Sequence, residues 1–429
     1  MVRQANKMEQ VDVVLFNPPF FRFCGSHNDR APVSLCYLSR YLSEKDISHV
    51  IYNADYTGAD RYWSMGWMFK NFESFKDAVD NKGSLYGEVI EILMSFQPKT
   101  VVIMGGEPLF PTKDWGNAFI AANFAKRLKA FGVHTVGIGP FFTLDKERFA
   151  DSFDCFLDGE PGPEVVEIVK LKLTGRVASA PMKLNVLPDL SKLYPEKQLA
   201  DFVMTSFGCF YHCAFCLVQK LYYRIGQSET RYVDLDTVLA DIQQRYHNHI
   251  YLTDVDFSAT STARLDAFVE GIAAKNIMKT FTIDSRVDAI TENKADLWLK
   301  LGIKRVKLGV EGGTDSLIKS FGKGTQIQQV DQAIHILKER GISIIIYLVV
   351  GGKANVADYQ KTRDYVRKLD PEFVAVNVWA YDLKKDYRYD TQFSPYSLAH
   401  WNIPPEEFFK HLELQEEINP TVGKMLDIP

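Results

Sequence analysis

The chain has 429 residues, of which 46% are hydrophobic and 24% charged, so it is long enough for two folded domains and is not dominated by disorder. Its formal net charge is −4 and no block of lysine or arginine stands out, which argues against a nucleic-acid partner. No stretch reaches the roughly 18 apolar residues of a membrane span, and the N-terminal residues show no small-residue cleavage site. These features favour a cytoplasmic protein without a membrane partner.

Short apolar runs alternate with helical patterns through the first 175 residues. Strands are predicted at 11–17, 48–53, 100–106, 134–139 and 153–159, and helices at 33–45, 84–96, 116–131 and 162–174. Strands that alternate with helices indicate right-handed crossovers and an open, doubly wound parallel sheet. The sequence therefore predicts an α/β, Rossmann-like first domain over residues 1–175.

Loop-forming residues follow three of these strands, in the segments NPP, GGE and GIGP. Ligands of such sheets bind outside the carboxyl ends of the strands, so Asn17, Gly105, Gly106 and Gly139 are candidate ligand-binding residues. Glycine and proline also end strands for structural reasons alone, and both interpretations stand.

Two other segments of this half are less regular. Residues 56–83 are rich in aromatic side chains, which predicts either a cover over a ligand site or a helical hairpin with its own small core. Residues 176–200 lose clear periodicity and carry several prolines and lysines. They are predicted to form a linker between domains.

Periodicity returns at residue 201. Strand candidates lie at 201–207, 249–254, 279–284, 305–310, 342–350 and 372–379, with amphipathic stretches between them. Six such β/α units predict a partial (β/α)6 version of the TIM barrel over residues 201–385, with its chemistry at the C-terminal ends of the strands. Residues 386–429 form a C-terminal segment with one predicted helix.

Three of the six cysteines, Cys209, Cys213 and Cys216, fall within eight residues in the spacing C-x₃-C-x₂-C. Thiolates this close can bind one metal centre, and soft sulfur ligands favour zinc or an iron–sulfur cluster. Structural zinc would require a second pair of cysteines or histidines downstream, and none follows. A [4Fe–4S] cluster on three cysteines would leave one iron open, whereas the plainer alternative is three buried structural thiols.

The run CFYHCAFC at 209–216, with the aromatic Phe215 before its last cysteine, resembles the signature of the radical S-adenosylmethionine (radical SAM) superfamily. The resemblance implies that Cys209, Cys213 and Cys216 bind a [4Fe–4S] cluster, with Phe215 among the cofactor-binding residues. It also implies that the open iron binds SAM, which one electron cleaves to a 5′-deoxyadenosyl radical. An external donor such as a flavodoxin or ferredoxin would supply that electron.

The same resemblance implies that SAM is bound by residues at neighbouring strand ends. Asp254 follows the second barrel strand, Ser285 and Arg286 end the third, and Glu311 lies in a segment close to the Gly-x-Glu-x-Gly pattern of relatives. The acidic residues would face the SAM ammonium or ribose hydroxyls, and the guanidinium would match a carboxylate. Each position could instead form a structural ion pair or begin a helix.

The N-terminal half resembles the cobalamin-binding-type domain that precedes the barrel in a large radical SAM subgroup. The likeness depends on Asn17-Pro18-Pro19, the stretch from Pro32 to Leu38 and the segment GEPGPE at 159–164. It implies that Asn17, Gly105, Gly106 and Gly139 border a cobalamin site. The D-x-H-x-x-G motif, in which a histidine binds cobalt in other cobalamin proteins, is absent.

The resemblance implies C–H activation on a small molecule, such as a natural-product intermediate. Cobalamin in the first domain would favour C-methylation with two SAM molecules per turnover. Without cobalamin, the radical could serve dehydration, oxidation or rearrangement, with the first domain as a substrate-binding wall. An alternative of another class is a non-catalytic cluster protein or a zinc-stabilised binding module.

Overall fold

The computed structural model describes residues 9–25, 28, 30–58, 72–111, 115–213, 216–227, 229–350 and 356–378. Predictions for Phe215, for residues 59–71 of the aromatic segment and for residues 386–429 lie outside this part of the chain. Two compact units are present: the first runs to Ala200 and includes Lys220–Gln227, and the second begins at Asp201. No helix of the described ranges is long and apolar enough to cross a membrane.

A seven-stranded parallel sheet is the centre of the first unit. Its strands are β1 (Val13–Asn17), β2 (His49–Asn53), β3 (Thr100–Met104), β4 (His134–Ile138), β5 (Cys155–Asp158), β6 (Gly175–Ala178) and β7 (Leu193–Tyr194). The order across the sheet is β6-β5-β4-β3-β1-β2-β7. The five predicted strands are confirmed, and the direction of winding reverses between β1 and β3, where doubly wound sheets bind their ligands.

Four helices of the first unit begin and end close to the predicted bounds, whereas Phe72–Val79 and Pro140–Leu144 match no predicted helix. The helices of this unit are α1 (Val33–Ser43), α2 (Phe72–Val79), α3 (Leu85–Ser95), α4 (Trp115–Lys129), α5 (Pro140–Leu144) and α6 (Val165–Leu171). The central strands are apolar along their length because both faces are covered, and β3 is buried at every position. Phe142, Phe153 and Phe156 pack edge to face, with ring centroids 4.9–5.8 Å apart.

Residues 176–200 differ from the predicted linker, because strands at both edges of the first sheet lie partly or wholly within them. β6 pairs with β5, and β7 pairs with β2. Edge strands tolerate prolines and charged residues, since one side of the strand makes no ladder hydrogen bonds. β7 has only two residues, too few for a period-2 pattern to be visible in the sequence.

A six-stranded parallel sheet is the centre of the second unit. Its strands are β8 (Phe202–Val203), β11 (His249–Leu252), β12 (Thr280–Arg286), β13 (Ile303–Glu311), β14 (Ser343–Val350) and β15 (Phe373–Val378). They lie side by side in chain order, and β9 (Ser206–Phe207) and β10 (Arg231–Tyr232) pair separately. The predicted strands are confirmed, and the curvature of this sheet into a partial barrel stays a prediction.

The helices that follow the cysteine motif are α7 (Leu217–Arg224), α8 (Leu235–Gln244), α9 (Thr262–Ala274), α10 (Glu292–Leu301), α11 (Asp315–Ser320), α12 (Ile327–Glu339) and α13 (Val356–Leu369). Three of them begin at side-chain caps: Ser261, Thr291 and Thr314 accept hydrogen bonds from backbone N–H groups at the start of α9, α10 and α11. Gly302, with φ +97°, ends α10 and turns the chain into β13. These caps fix how each loop leaves its strand.

Candidate functional site

A cavity of about 190 Å³ lies at the carboxyl ends of the second sheet. Its lining combines the three motif cysteines with three acidic and three basic residues, which are Asp256, Asp284, Glu311, Arg286, Lys307 and Lys323. Formal charges in the lining therefore balance. Parallel sheets of this kind present their chemistry at this edge, so the cavity is the candidate functional site.

The cysteine loop begins two residues after β9. Gln219 donates a hydrogen bond to the Cys209 carbonyl at 2.6 Å, and the Cys216 N–H donates to the Cys213 carbonyl at 3.0 Å. Burial raises the pKa of the Cys209 thiol to about 12 and also raises that of Cys213. Within the described ranges, no three His, Cys, Asp or Glu side chains are already at metal-binding separations. Three thiols in one cavity nevertheless form the donor set that a soft metal centre or an iron–sulfur cluster uses.

Arg286, at the end of β12, is held on several sides. Its Nε and Nη2 donate to the two carboxylate oxygens of Asp288 at 2.9 and 2.7 Å, and Nη2 also donates to the Lys323 carbonyl at 3.1 Å. Nη1 donates to the Cys213 sulfur at 3.2 Å, and the guanidinium lies 4.0 Å from the centroid of the Tyr211 ring. Burial opposes this charge, yet Asp288, Cys213 and Tyr211 together raise the pKa of Arg286.

Glu311 and Lys323 form a buried ion pair at the end of β13. Lys323 Nζ donates to Glu311 Oε1 at 2.7 Å and to the Gly309 carbonyl at 2.6 Å. Glu311 has φ +68°, and the pairing of β13 with β14 shifts register between Gly309 and Glu311. A side chain at Gly309 would collide with the Lys323 ammonium. The glycine and the left-handed glutamate thus allow the two charges to meet, a strained geometry typical of functional sites.

Asp254 and Asp256 follow β11 and differ in role. The Asp254 carboxylate accepts backbone N–H bonds from Thr205 at 2.7 Å and Ser206 at 3.0 Å, and burial raises its pKa to about 6. Asp256 lines the cavity; its Oδ1 accepts the Ser258 N–H at 3.1 Å, while its buried Oδ2 has no hydrogen-bond partner among the described residues. Asp254 therefore holds the backbone before the cysteine loop, and Asp256 offers an acceptor to the cavity.

A polar cluster of Tyr251, Asp284 and Lys307 lies deeper along the strands. Asp284 and Lys307 are register neighbours on β12 and β13, and the Tyr251 hydroxyl donates to Asp284. Lys307 Nζ lies 3.6 Å from the Tyr251 ring centroid. Burial raises the pKa of Asp284 to about 6, although the charge of Lys307 opposes the shift. The cluster supplies both a donor and an acceptor to whatever enters the cavity.

Three of the predicted SAM-site residues, Ser285, Arg286 and Glu311, line the cavity beside the cysteines. The Ser285 hydroxyl donates to the Arg286 carbonyl at 3.0 Å. Sequence analysis had not singled out Asp256, although it lies two residues beyond Asp254 in the same strand-end segment. The role of each predicted residue in SAM binding stays a prediction.

The glycines at the carboxyl edge of the first sheet pack against the protein itself. A side chain at Gly105 would meet the Phe142 ring at 2.5 Å, and one at Gly139 would meet the Gly105 carbonyl oxygen at 2.6 Å. Gly106 has φ +96° and lies beside Pro140. The missing side chains of Gly105 and Gly139 therefore make room for neighbouring protein atoms, and the predicted cobalamin contacts of all three glycines stay a prediction.

Polar residues at this edge bind neighbouring parts of the same unit. Asn17 donates to the Asn53 side chain at 2.9 Å and so joins the ends of β1 and β2. Glu107 accepts the backbone N–H groups of Ser34 and Leu109, both at 3.2 Å, and burial raises its pKa to about 7. The predicted cobalamin contact of Asn17 stays a prediction.

Comparison with known proteins gives the class of this site. Residues 203–366 match the radical SAM superfamily. Hopanoid C-3 methylase of Methylococcus capsulatus is 23% identical over 227 residues, which are 49% of this chain and 42% of the methylase. The 4′-phospho-dehydrooxetanocin synthase of Priestia megaterium is 29% identical over 213 residues, 45% of this chain and 28% of the synthase. The chain thus spans less than half the length of these two relatives.

Solved structures resemble the chain over most of its length. TsrM of Kitasatospora setae, a radical SAM methyltransferase solved with cobalamin and a [4Fe–4S] cluster, matches with a TM-score of 0.58 and 14% identity over 86% of this chain and 72% of TsrM. OxsB, a cobalamin-dependent radical enzyme solved with aqua-cobalamin and SAM, matches with a TM-score of 0.59 and 15% identity over 96% of this chain and 56% of OxsB. At these identities the likeness shows the fold.

The thiol-lined cavity, the parallel strands that carry it and the matched region define an enzyme of the radical SAM class. Residues 203–366, which carry this cavity, form a radical SAM domain.

Proposed function

We propose that Cys209, Cys213 and Cys216 bind a [4Fe–4S] cluster and that SAM binds in the same cavity. The observation that carries this proposal is the lining itself, where three thiols share a cavity of about 190 Å³ with balanced acidic and basic groups. When bound, the cluster supplies one electron to the SAM sulfonium, and the S–C5′ bond breaks to methionine and a 5′-deoxyadenosyl radical that abstracts hydrogen from carbon. A flavodoxin or ferredoxin is the proposed electron donor.

The chain's own residues bind and orient SAM in this proposal. Asp256 accepts a hydrogen bond from the SAM ammonium, because its buried Oδ2 has no other partner among the described residues. Glu311, aligned by Lys323, accepts bonds from the ribose hydroxyls. Asp254 keeps its backbone contacts and acts on the cavity only through the loop that it holds.

Asp256→Asn tests this assignment against Asp254→Asn. We expect the first substitution to raise the dissociation constant for SAM about tenfold or more, since a carboxylate bonds a cation more strongly than an amide does. The second should chiefly lower the melting temperature. Titration calorimetry with SAM and thermal unfolding of both variants provide the readouts, and unchanged SAM affinity in Asp256→Asn contradicts the assignment.

C-methylation of a small molecule is the proposed overall reaction, with two SAM molecules per turnover. Its support is the methylase among the relatives and the radical SAM methyltransferase among the folds that match. The first unit, with its order reversal between β1 and β3, would then be the cobalamin-binding-type domain and the second the partial barrel. Contacts of Asn17, Gly105, Gly106 and Gly139 with cobalamin are part of this proposal.

A cobalamin-independent dehydration, oxidation or rearrangement is the second candidate. The absence of the D-x-H-x-x-G motif, in which a histidine binds cobalt in other cobalamin proteins, leaves this candidate open. Reconstitution with iron and sulfide, with and without hydroxocobalamin, separates the candidates. Corrin absorbance that survives desalting supports methylation; a cluster spectrum alone supports the second candidate. A colourless protein that contains only zinc supports the non-catalytic binding module instead.

A further inference from the structure

We propose that Arg286 is a positioning residue for the cluster ligand Cys213 and that its hydrogen bond to this sulfur raises the reduction potential of the cluster. The inference rests on the proposed cluster and adds a residue that controls it. The contact that carries the inference is Arg286 Nη1 to Cys213 Sγ at 3.2 Å.

The guanidinium is fixed on its edges and its face. Asp288 occupies the Nε–Nη2 edge with both oxygens, and the Lys323 carbonyl accepts a further bond from Nη2. The Tyr211 ring covers one face at 4.0 Å. Nη1 is therefore directed at the sulfur by contacts outside the cysteine loop as well, because Asp288 lies in the turn after β12 and Lys323 in the loop between α11 and α12.

Arg286 is not placed to hold a SAM carboxylate at its Nε–Nη2 edge. That edge matches two carboxylate oxygens side by side, and Asp288 already occupies it. A SAM carboxylate would have to displace Asp288 to bind Arg286 in that way. The edge that remains turned to the cavity is the one that contacts Cys213.

A cation that donates to a ligand sulfur stabilises the cluster state with more negative charge. Reduction adds one electron to the cluster, so this donor favours the reduced state and raises the potential. Arg286 is 8% exposed, and the interaction is weakly screened there because little water surrounds it. Loss of the guanidinium should make the cluster harder to reduce.

The test uses the full chain, reconstituted with iron and sulfide and titrated with dithionite under EPR detection. For Arg286→Gln we expect at least a tenfold fall in the equilibrium constant for one-electron reduction, which is about 59 mV. Arg286→Lys, which keeps the charge but loses the fork, should fall in between. Lys307→Met removes one positive charge from another part of the same cavity and should shift the potential less.

Equal potentials for wild type and Arg286→Gln, with iron content intact, overturn the inference and leave the proposed cluster standing. An equal shift in Lys307→Met also overturns it, because general charge would then explain the effect without the hydrogen bond. Should Arg286→Gln lose its iron, Arg286→Lys decides: an unshifted potential there overturns the inference. A wild-type protein that binds no iron contradicts the proposed function instead.

Discussion

The carboxyl edges of the two parallel sheets carry similar sequence signals and differ in what fills them. In the first unit, the Phe142 ring takes the space beside Gly105, and the Gly139 backbone meets that of Gly105. In the second unit, the strand ends carry charged side chains around a cavity of about 190 Å³. A glycine after a buried strand therefore indicates that another group lies close to the backbone there. Only the neighbouring side chains decide whether that group is protein or ligand.

The largest effect is expected at the carboxyl edge of the second sheet, which lines the cavity. Cys213→Ala should abolish 5′-deoxyadenosine formation from SAM under reducing conditions, since two thiolates leave a second iron without a protein ligand. Chromatography of the products, together with iron and sulfide content, measures the effect. Cys36→Ala, which alters a buried thiol of the first unit, is the matched control and should keep the cluster. Undiminished SAM cleavage in Cys213→Ala removes the basis of the assignment.

The buried ion pair of Glu311 and Lys323, at the carboxyl edge of the second sheet, should show strong energetic coupling. Glu311→Gln and Lys323→Met should each destabilise the second unit by about 3–5 kcal/mol, because each leaves one buried charge unpaired. The double variant should lose less than the sum of the two. Urea unfolding of the four proteins in a double-mutant cycle measures the coupling. Additive losses would mean that the two charges act separately, in conflict with their 2.7 Å contact.

Adding a single methyl group at the carboxyl edge of the first sheet should lower the stability of the first unit. Gly105→Ala should destabilise the first unit by about 1–3 kcal/mol, because the new Cβ would lie 2.5 Å from the Phe142 ring. Phe142→Leu should restore part of the loss in the double variant. Thermal unfolding measures both effects, and hydroxocobalamin binding to Phe142→Leu adds a second readout. If Gly105→Ala is as stable as wild type but loses cobalamin, the glycine serves the cofactor and the comparison fails.

The smallest expected effect is the pH dependence of stability that Glu107 adds at the carboxyl edge of the first sheet. Burial raises the pKa of Glu107 from 4.5 to about 7, so the folded state holds this proton more tightly than the unfolded state. The stability that this proton provides is complete below about pH 4.5 and is lost as the pH rises through about 7. Glu107→Gln should therefore flatten the fall in stability between pH 5 and 8 by about 1–2 kcal/mol. Urea unfolding of both proteins at pH 5 and 8 measures the effect. An equal fall in the free energy of unfolding in the two proteins would refute the raised pKa of Glu107.

Periodicity predicted the long buried strands well and the edge strands poorly. β3 and β4 are buried at every position because both faces are covered, and the apolar run of β3 is visible in the sequence. β6 and β7 form the sheet edges, where exposed positions and two-residue pairing give no period. The predicted linker therefore included parts of the first sheet.

The site was predictable where chemistry depends on residue type and spacing. Three cysteines in C-x₃-C-x₂-C spacing predict a soft metal centre, and Arg286 and Glu311 could be expected at the same edge because parallel strands end together. The direction of each side chain was not predictable. Asp254 and Asp256 lie on the same strand-end segment, yet one binds backbone amides and the other lines the cavity.

The sequence by itself determined the class of the second unit, because the spacing of the cysteines and the succession of strands and helices along the chain are local properties. Only the tertiary structure decided which charges pair and which space stays open. Arg286 reaches Cys213 across 73 positions of the chain, and Phe142 closes the edge at Gly105 from another strand end. Such contacts depend on backbone placement to within an ångström, and no periodicity in the residues encodes it.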